Sequence, residues 1–283
     1  MKNIKLVVSD LDGTLLNNNH QLNEETIDSV IKIQEAGLKF VVATGRNYYS
    51  LNWVIEKLQL AKFNGYLIAS NGQQMYDFTS KSLMKADLIA QDKGFEVRQI
   101  CKKNKVNAII FYDDNIYCNL TFLTSLVIKF KFLLNKINKS VSEVGFQNYK
   151  QIKYSYKIAR DVNKICILNS NKNKIKKIKK QVSNDFDFLS LSDSWHEIMP
   201  KNVNKGLMLD KIMAKENLNK EEVMVFGDGE NDIEMLKRSD YSYVMANGRT
   251  SVKKYGNYIA DKNSDNGVSV VLIELLKSKN VKI

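Results

Sequence analysis

With one proline, two histidines and three cysteines among 283 residues, the chain lacks the raw material of several protein classes. Pro200 alone makes no Pro-rich linker. Cys101, Cys118 and Cys166 are odd in number, widely spaced and without a CxxC pair. That pattern supports neither a disulfide framework nor a thiolate metal site, and reads as reduced, partly buried thiols. His20 and His196 stand far apart without a partner motif, so a histidine phosphatase or a zinc site has no support, and both read as surface or packing residues. No apolar stretch reaches the roughly 18 residues of a membrane span. The N-terminal apolar run meets Asp10 too soon for a signal peptide, so the expected location is the cytoplasm, away from membranes.

What is present suits a globular chain of two domains, with 44% hydrophobic residues. The net charge of +12 is unevenly placed: residues 81–200 hold 22 Lys+Arg against 11 Asp+Glu, which leaves 21 against 20 in the flanks. This step in composition marks a distinct central domain. A basic surface suits anionic partners such as phosphorylated metabolites or nucleic acid, although abundant Lys and Asn are equally a compositional habit of a source genome. Ile175 and Ile178, set among Lys174, Lys176, Lys177, Lys179 and Lys180, form an amphipathic helical stripe. It reads as a solvated helix face, with contact to a nucleic-acid backbone as the rival.

Over residues 1–80 strand and helix patterns alternate: strand 4–9, helix 24–36 stopped at Gly37, strand 39–43, helix 48–60, strand 65–70. The rhythm returns after residue 205 with helix 206–217, strand 222–226, helix 232–238, strand 241–245 and helix 268–277. Such alternation implies βαβ units and an α/β fold with a parallel sheet. Asn71-Gly72 signals a tight turn into a short hairpin with 73–77. Between the halves the texture is α+β: a strand pair 107–112 and 115–120 joined across Asp113-Asp114, strand 164–168, and helices 124–135 and 172–182. The expected division is therefore a discontinuous core, 1–81 with 195–283, and an inserted domain, 82–194.

The most telling residues are Asp10-Leu11-Asp12-Gly13-Thr14-Leu15, directly after the first strand. Strand side chains alternate faces, so Asp10 and Asp12 leave its end on the same side, and Gly13 lets the chain turn away. In open α/β sheets ligands sit at the carboxyl ends of the strands. Two carboxylates this close repel unless a cation or a shared proton relieves them, which points to metal-assisted chemistry.

Three further signals share that geometry. Thr44-Gly45-Arg46 ends an apolar strand, where a hydroxyl and exposed N–H groups suit a phosphate, or where Thr44 merely caps the next helix. Gly227-Asp228-Gly229-Glu230-Asn231-Asp232 ends another strand, and Asp228 with Asp10 would supply the carboxylates that Mg²⁺ takes from protein. The twelve-residue spacing of a calcium loop, with its closing Glu, is absent. Lys205-Gly206 opens a helix after the insert. Lys205 is either solvated surface or the fixed cation that a transferring phosphoryl group requires opposite a metal.

Taken in order, Asp10-Leu11-Asp12-Gly13-Thr14, Thr44-Gly45-Arg46, Asn204-Lys205-Gly206 and Gly227–Asp232 resemble the haloacid dehalogenase (HAD) superfamily of phosphohydrolases, Cof-type subfamily, which has a large cap inserted between the second and third motifs. Ser70-Asn71-Gly72, Asp232-Ile233-Glu234-Met235-Leu236 and Asn266-Gly267-Val268 extend the resemblance across both core halves. One position departs: where the family usually shows Met-x-Asn-Ala, this chain has Met245-Ala246-Asn247-Gly248, which loosens the turn around Asn247.

The resemblance implies a Rossmann-like core in which Asp10 attacks phosphorus to form an aspartyl-phosphate, while Asp12 protonates the leaving oxygen and then activates water. It implies Mg²⁺ held by Asp10, the backbone carbonyl of Asp12, and Asp228. Thr44, Gly45, Lys205 and Asn231 would grip the phosphate, Asp232 would orient Lys205 or the metal's surroundings, and Arg46 would contact substrate. The implied activity is hydrolysis of small phosphorylated metabolites, sugar phosphates or phosphorylated cofactors. The alternatives are a phosphomutase or phosphotransferase on the same core, and a nucleic-acid-binding or regulatory protein using the basic insert. The four intact motifs count against nucleic acid as the partner.

Overall fold

The computed structural model describes residues 1, 3–112, 115–119, 149–157 and 159–281. The expected helix 124–135 and the Asp113-Asp114 link lie outside the described residues. Two compact units divide the chain, Met1–Ala86 with Val203–Ile283, and Asp87–Asn202.

The first unit opens with β1 (Leu6–Asp10), α1 (Glu24–Glu35), β2 (Lys39–Ala43), α2 (Asn52–Lys57), β3 (Tyr66–Ala69), β4 (Gln74–Asp77) and β5 (Ser82–Lys85). The second contains α3 (Gln91–Lys103), β6 (Asn107–Phe111), β7 (Ile116–Asn119), β8 (Tyr149–Gln151), β9 (Lys164–Leu168), α4 (Lys172–Val182), β10 (Phe186–Ser190) and β11 (Trp195–Pro200). The chain returns through α5 (Lys205–Lys215), β12 (Val223–Gly227), α6 (Ile233–Leu236), β13 (Tyr241–Met245), α7 (Thr250–Lys253), β14 (Tyr258–Ala260) and α8 (Gly267–Ser278).

The core sheet runs β14-β13-β12-β1-β2-β3-β4-β5. It is parallel from β14 to β3, with β4 and β5 added antiparallel. Both faces of its central strands are covered, which is why those strands read as continuous apolar runs. Val7, Phe40, Val42 and Leu67 face Val30, Ile33 and Val54 of α1 and α2, together with Leu272 and Leu275 of α8. Their strand neighbours Leu6, Val8, Val41 and Ile68 face Met208, Leu209 and Ile212 of α5 and Met235 of α6. The strand order reverses around β1, which has β2 on one side and β12 on the other, so β1 is the topological switch point where such sheets bind ligands.

The inserted unit is a sheet ordered β10-β11-β9-β6-β7-β8, antiparallel except for β7 with β8. Val97 and Cys101 of α3 and Ile175, Ile178 and Val182 of α4 cover one face. The α4 lysines lie on its outer side, apart from half-buried Lys174.

Several elements differ from expectation. The breaks fall after residues 86 and 202 rather than 81 and 194, because β5 extends the core hairpin and β11 belongs to the inserted sheet. The helix expected over 48–60 divides into a 3₁₀ turn at Tyr48–Ser50, capped by the Asn47 side chain, and the short α2. Left-handed Gln59 then ends it. Helix α3 has no clear apolar period in sequence, because its inward face includes Arg98, 2% exposed, where a periodic apolar residue would stand. The Arg98 guanidinium donates to Asn119 Oδ1, Tyr156 O and Lys153 O at 3.0, 2.7 and 3.0 Å. All three cysteines are free and buried. His196 is a packing residue, its ring nitrogens within 3.0 Å of Ser190 Oγ and 3.2 Å of Asn169 O. No helix among the described residues is long and apolar enough to cross a membrane.

Candidate active site

Three adjacent parallel strands bring the motif residues together. Asp10 ends β1, Asp228 follows β12 and Thr44 follows β2, and the register sets Ser9 beside Phe226 and Asp10 beside Ala43. Gly13 makes the close approach possible: its φ is +81°, and a Cβ there would lie 2.5 Å from Asp228 Oδ2. A side chain at 13 would therefore both strain the turn and displace that carboxylate.

Lys205 is the first residue of α5, whose N-terminus is held by Asn204 Oδ1 accepting from Leu207 N at 2.9 Å. Its ammonium is fully buried between two carboxylates, 2.5 Å from Asp10 Oδ1 and 2.7 Å from Asp232 Oδ1. Asp232 Oδ2 accepts from the backbone N–H groups of Asp228 and Gly229, both at 2.9 Å. Both oxygens of Asp232 are thus engaged, and it acts as a strut for Lys205 and the Asp228 turn. Thr14 Oγ1 donates to Asp228 Oδ1 at 3.4 Å, while Asp10 Oδ2 makes no hydrogen bond among the described residues.

One oxygen each of Asp10, Asp228 and Asp232 lies within 4.8 Å of the others. Burial, followed by repulsion from Asp232, lifts the Asp10 carboxyl well above the ordinary carboxylate range. The same two causes raise Asp228 to about 7. Burial pulls Lys205 down, but the two carboxylates beside it outweigh that and raise it. Three carboxylates against one ammonium leave two negative charges when ionised, and their oxygens are the hard donors that Mg²⁺ prefers. The residues fit a divalent cation, with Asp10 and Asp228 the carboxylates available to it.

This arrangement predicts a pH dependence of stability. Folding raises the Asp228 carboxyl from 3.8 to about 7, so the folded state binds the proton more tightly than the unfolded one. Metal-free protein is therefore expected to lose stability as pH rises from about 4 to 7, and Mg²⁺ to flatten that slope. Thermal denaturation in EDTA and in Mg²⁺ across this range checks it; identical pH profiles would exclude the cluster as the metal site.

The Asp12 carboxylate stands outside the cluster of three. Arg46 clamps it at two points, Nε to Oδ2 at 2.8 Å and a terminal nitrogen to Oδ1 at 2.6 Å. His20 Nδ1 approaches Oδ1 at 3.3 Å. Burial would raise the Asp12 carboxyl, but Arg46 and then His20 outweigh it and hold it below its ordinary value. Arg46, expected at the substrate, holds Asp12 through both of these bonds. His20, expected as an ordinary residue, reaches Asp12 across a chain reversal that leaves no local pattern in sequence.

Thr44 is buried and its Oγ1 accepts from Arg46 N at 3.1 Å, with Gly45 between them. Asn231 Nδ2 donates to Asn71 Oδ1 at 3.0 Å. Asn247, left without a definite role by the altered motif, bridges two loops: Nδ2 donates to Gly13 O at 2.8 Å and Oδ1 accepts from Asn263 N at 2.9 Å. The turn after it is tight, since a Cβ on Gly248 would meet Met245 O at 2.9 Å and the Asp228 backbone at 3.1 Å.

Comparison with known proteins agrees with this geometry. The haloacid dehalogenase-like hydrolase family matches residues 7–272. The chain is 26% identical over 253 residues to HMP-PP phosphatase of Yersinia pseudotuberculosis, covering 88% of this chain and 86% of that protein. A haloacid dehalogenase-like hydrolase from Bacteroides thetaiotaomicron superposes with a TM-score of 0.76 at 23% identity, over 96% of this chain and 99% of its own. A HAD subclass IIB sugar phosphatase does so with a TM-score of 0.79 at 21% identity, over 95% and 98%. The four motifs, three at strand ends and one at the start of α5, and a family match spanning nearly the whole chain place the protein among the haloacid dehalogenase-like hydrolases.

Proposed function

We propose that the protein is a Mg²⁺-dependent phosphatase of small phosphorylated metabolites that works through an aspartyl-phosphate at Asp10. The observation that carries this reading is the buried Lys205 between Asp10 and Asp232, with Asp228 completing a cluster of hard oxygens and the Asp12 carboxylate held apart. Two relatives named for phosphatase activity, one toward HMP-PP and one toward sugar phosphates, support the substrate class.

In this mechanism Asp10 Oδ2 attacks phosphorus, the P–O bond to the leaving group breaks, and Asp12, which has first to take up a proton against the pull of Arg46, gives that proton to the departing oxygen. Water then attacks phosphorus, passing a proton to Asp12 and returning Asp10 as a carboxylate with release of inorganic phosphate. Lys205 holds the orientation of Asp10 and meets the negative charge of the phosphoryl group, which Thr44, Gly45 and Asn231 grip on its other oxygens. Mg²⁺, held by Asp10, Asp228 and the backbone carbonyl of Asp12, would supply the remaining charge neutralisation. Arg46 positions Asp12, whose side chain is 40% exposed and so within reach of leaving group and water.

The test is a phosphate-release screen over sugar phosphates, HMP-PP and other phosphorylated metabolites, in Mg²⁺ and in EDTA. Turnover that vanishes in EDTA is expected, and undiminished turnover there would remove the metal from the mechanism. The placement of Arg46 has its own signature. Arg46→Ala should lower kcat on alkyl phosphates by about a hundredfold, but by less than about tenfold on p-nitrophenyl phosphate, whose leaving group needs no proton. Equal losses on both would show that Arg46 does not act through Asp12.

A further inference from the structure

Ser70, Asn71 and Gly72 have positive φ of 51°, 56° and 94°, the only run of three such residues among the described residues. Left-handed backbone is unfavourable for Ser and tolerable for Asn, and it persists where the surroundings over-determine it. Ser70 and Asn71 are 6% and 1% exposed, so those surroundings are protein. Two backbone bonds pin the turn to the loop after β2: Ser70 N donates to Arg46 O at 2.8 Å and Asn71 N to Thr44 O at 3.0 Å. Gly72 lies against the start of α5, where a Cβ would be 2.1 Å from Asn204 O and 2.9 Å from Lys205 N. Asn71 Oδ1 accepts from Asn231 Nδ2 at 3.0 Å. One strained turn therefore touches the Thr44 loop, the helix start that carries Lys205, and Asn231.

We propose that Asn71 is a positioning residue, which aims the Asn231 amide at the phosphate. A primary amide has two N–H donors. By accepting one, Asn71 fixes the Asn231 side chain and turns the second N–H toward the phosphate oxygens. The left-handed backbone at 70–72 holds Asn71 Oδ1 at that point while the same turn spaces Thr44 from Lys205. This rests on the reading that Asn231 grips phosphate.

Two variants separate side chain from backbone. Asn71→Gly removes the acceptor and keeps a residue at ease with positive φ, whereas Asn71→Ala removes the acceptor and strains the backbone. Hydrolysis of p-nitrophenyl phosphate, inhibition by orthovanadate and thermal denaturation are measured for both, for Asn231→Ala and for Asn71→Gly/Asn231→Ala. Both position-71 variants should raise KM and the vanadate inhibition constant by about tenfold, and only Asn71→Ala should also lower Tm. The double variant should lose less than the sum of the two single losses, since both changes remove the Asn71–Asn231 hydrogen bond. Wild-type kinetics in Asn71→Gly, or losses that add in full, would overturn the inference while leaving the phosphatase reading intact. A wild-type protein that neither hydrolyses the ester nor binds vanadate would overturn that reading and the inference with it.

Discussion

Asp10→Asn is expected to abolish turnover without unfolding the protein. The substitution keeps the size and shape of a side chain 4% exposed at the end of the central strand, and removes the charge that attacks phosphorus in the proposed mechanism. An amide is no substitute nucleophile, so a fall of at least about four orders of magnitude in kcat is expected, more than about 5 kcal/mol of lost transition-state stabilisation. The metal-free variant should hold its Tm or gain on wild type, because burial and repulsion already raise the Asp10 carboxyl far above the ordinary range. Mg²⁺ should then stabilise the variant much less than wild type. Retention of more than about a hundredth of wild-type kcat, a loss under roughly 3 kcal/mol, would refute covalent catalysis at this residue.

Lys205→Met should damage fold and chemistry together. Its ammonium is fully buried and bonded to Asp10 and Asp232, so a thioether of similar length leaves two buried carboxylates facing one another. Breaking a buried pair from one side destabilises by about 3–5 kcal/mol. For a chain of this size that corresponds to a fall in Tm of roughly 10 °C, alongside lost activity. The deficit has a predictable sign with pH. Without the lysine, protonation of Asp10 is favoured further in the folded state, so the variant should recover stability as pH falls from 8 to 5. A melting series over that range, with Lys205→Met/Asp232→Asn as a partial rescue, distinguishes this account from simple loss of packing. A variant as stable as wild type at pH 8 would mean that the lysine does not neutralise the cluster.

The residues at the strand ends were legible because each follows an apolar run with carboxylates, hydroxyls or glycines that a buried strand would not otherwise carry. Asp10 and Asp228 could be named from sequence for that reason, whereas Asp232 and the helix-opening Lys205 were marked only by the family resemblance, and Lys205 meets Asp10 across 195 positions. What escaped was every contact made by an unpatterned side chain. Arg46 reads as an arginine beside a phosphate loop, and nothing local says that its fork closes on Asp12. His20 and Asn71 act from left-handed backbone, and neither position marks its direction in a single sequence. In the fold, β5 is exposed on both faces and so shows no alternation, while β14 has three residues, too few for any period. Helix α3 hides its inward stripe by satisfying a buried guanidinium with carbonyl and amide oxygens.

The flanking of β1 by β2 and β12 has a consequence in time. During synthesis the ribosome delivers β1, β2 and β3, then the whole inserted unit, and only afterwards α5 and β12. At about 5–20 residues per second, the edge of β1 that β12 will cover waits many seconds for its partner. Throughout that interval Asp10 has neither Lys205 nor Asp228 beside it, and the nascent chain presents an open strand of the buried residues Leu6, Val7 and Val8. The inserted unit can complete its own sheet meanwhile, since each of its strands precedes residue 203. Assembly of the cluster therefore waits on the synthesis of α5 and β12, and the vulnerable period for misassembly is set by the length of the insert.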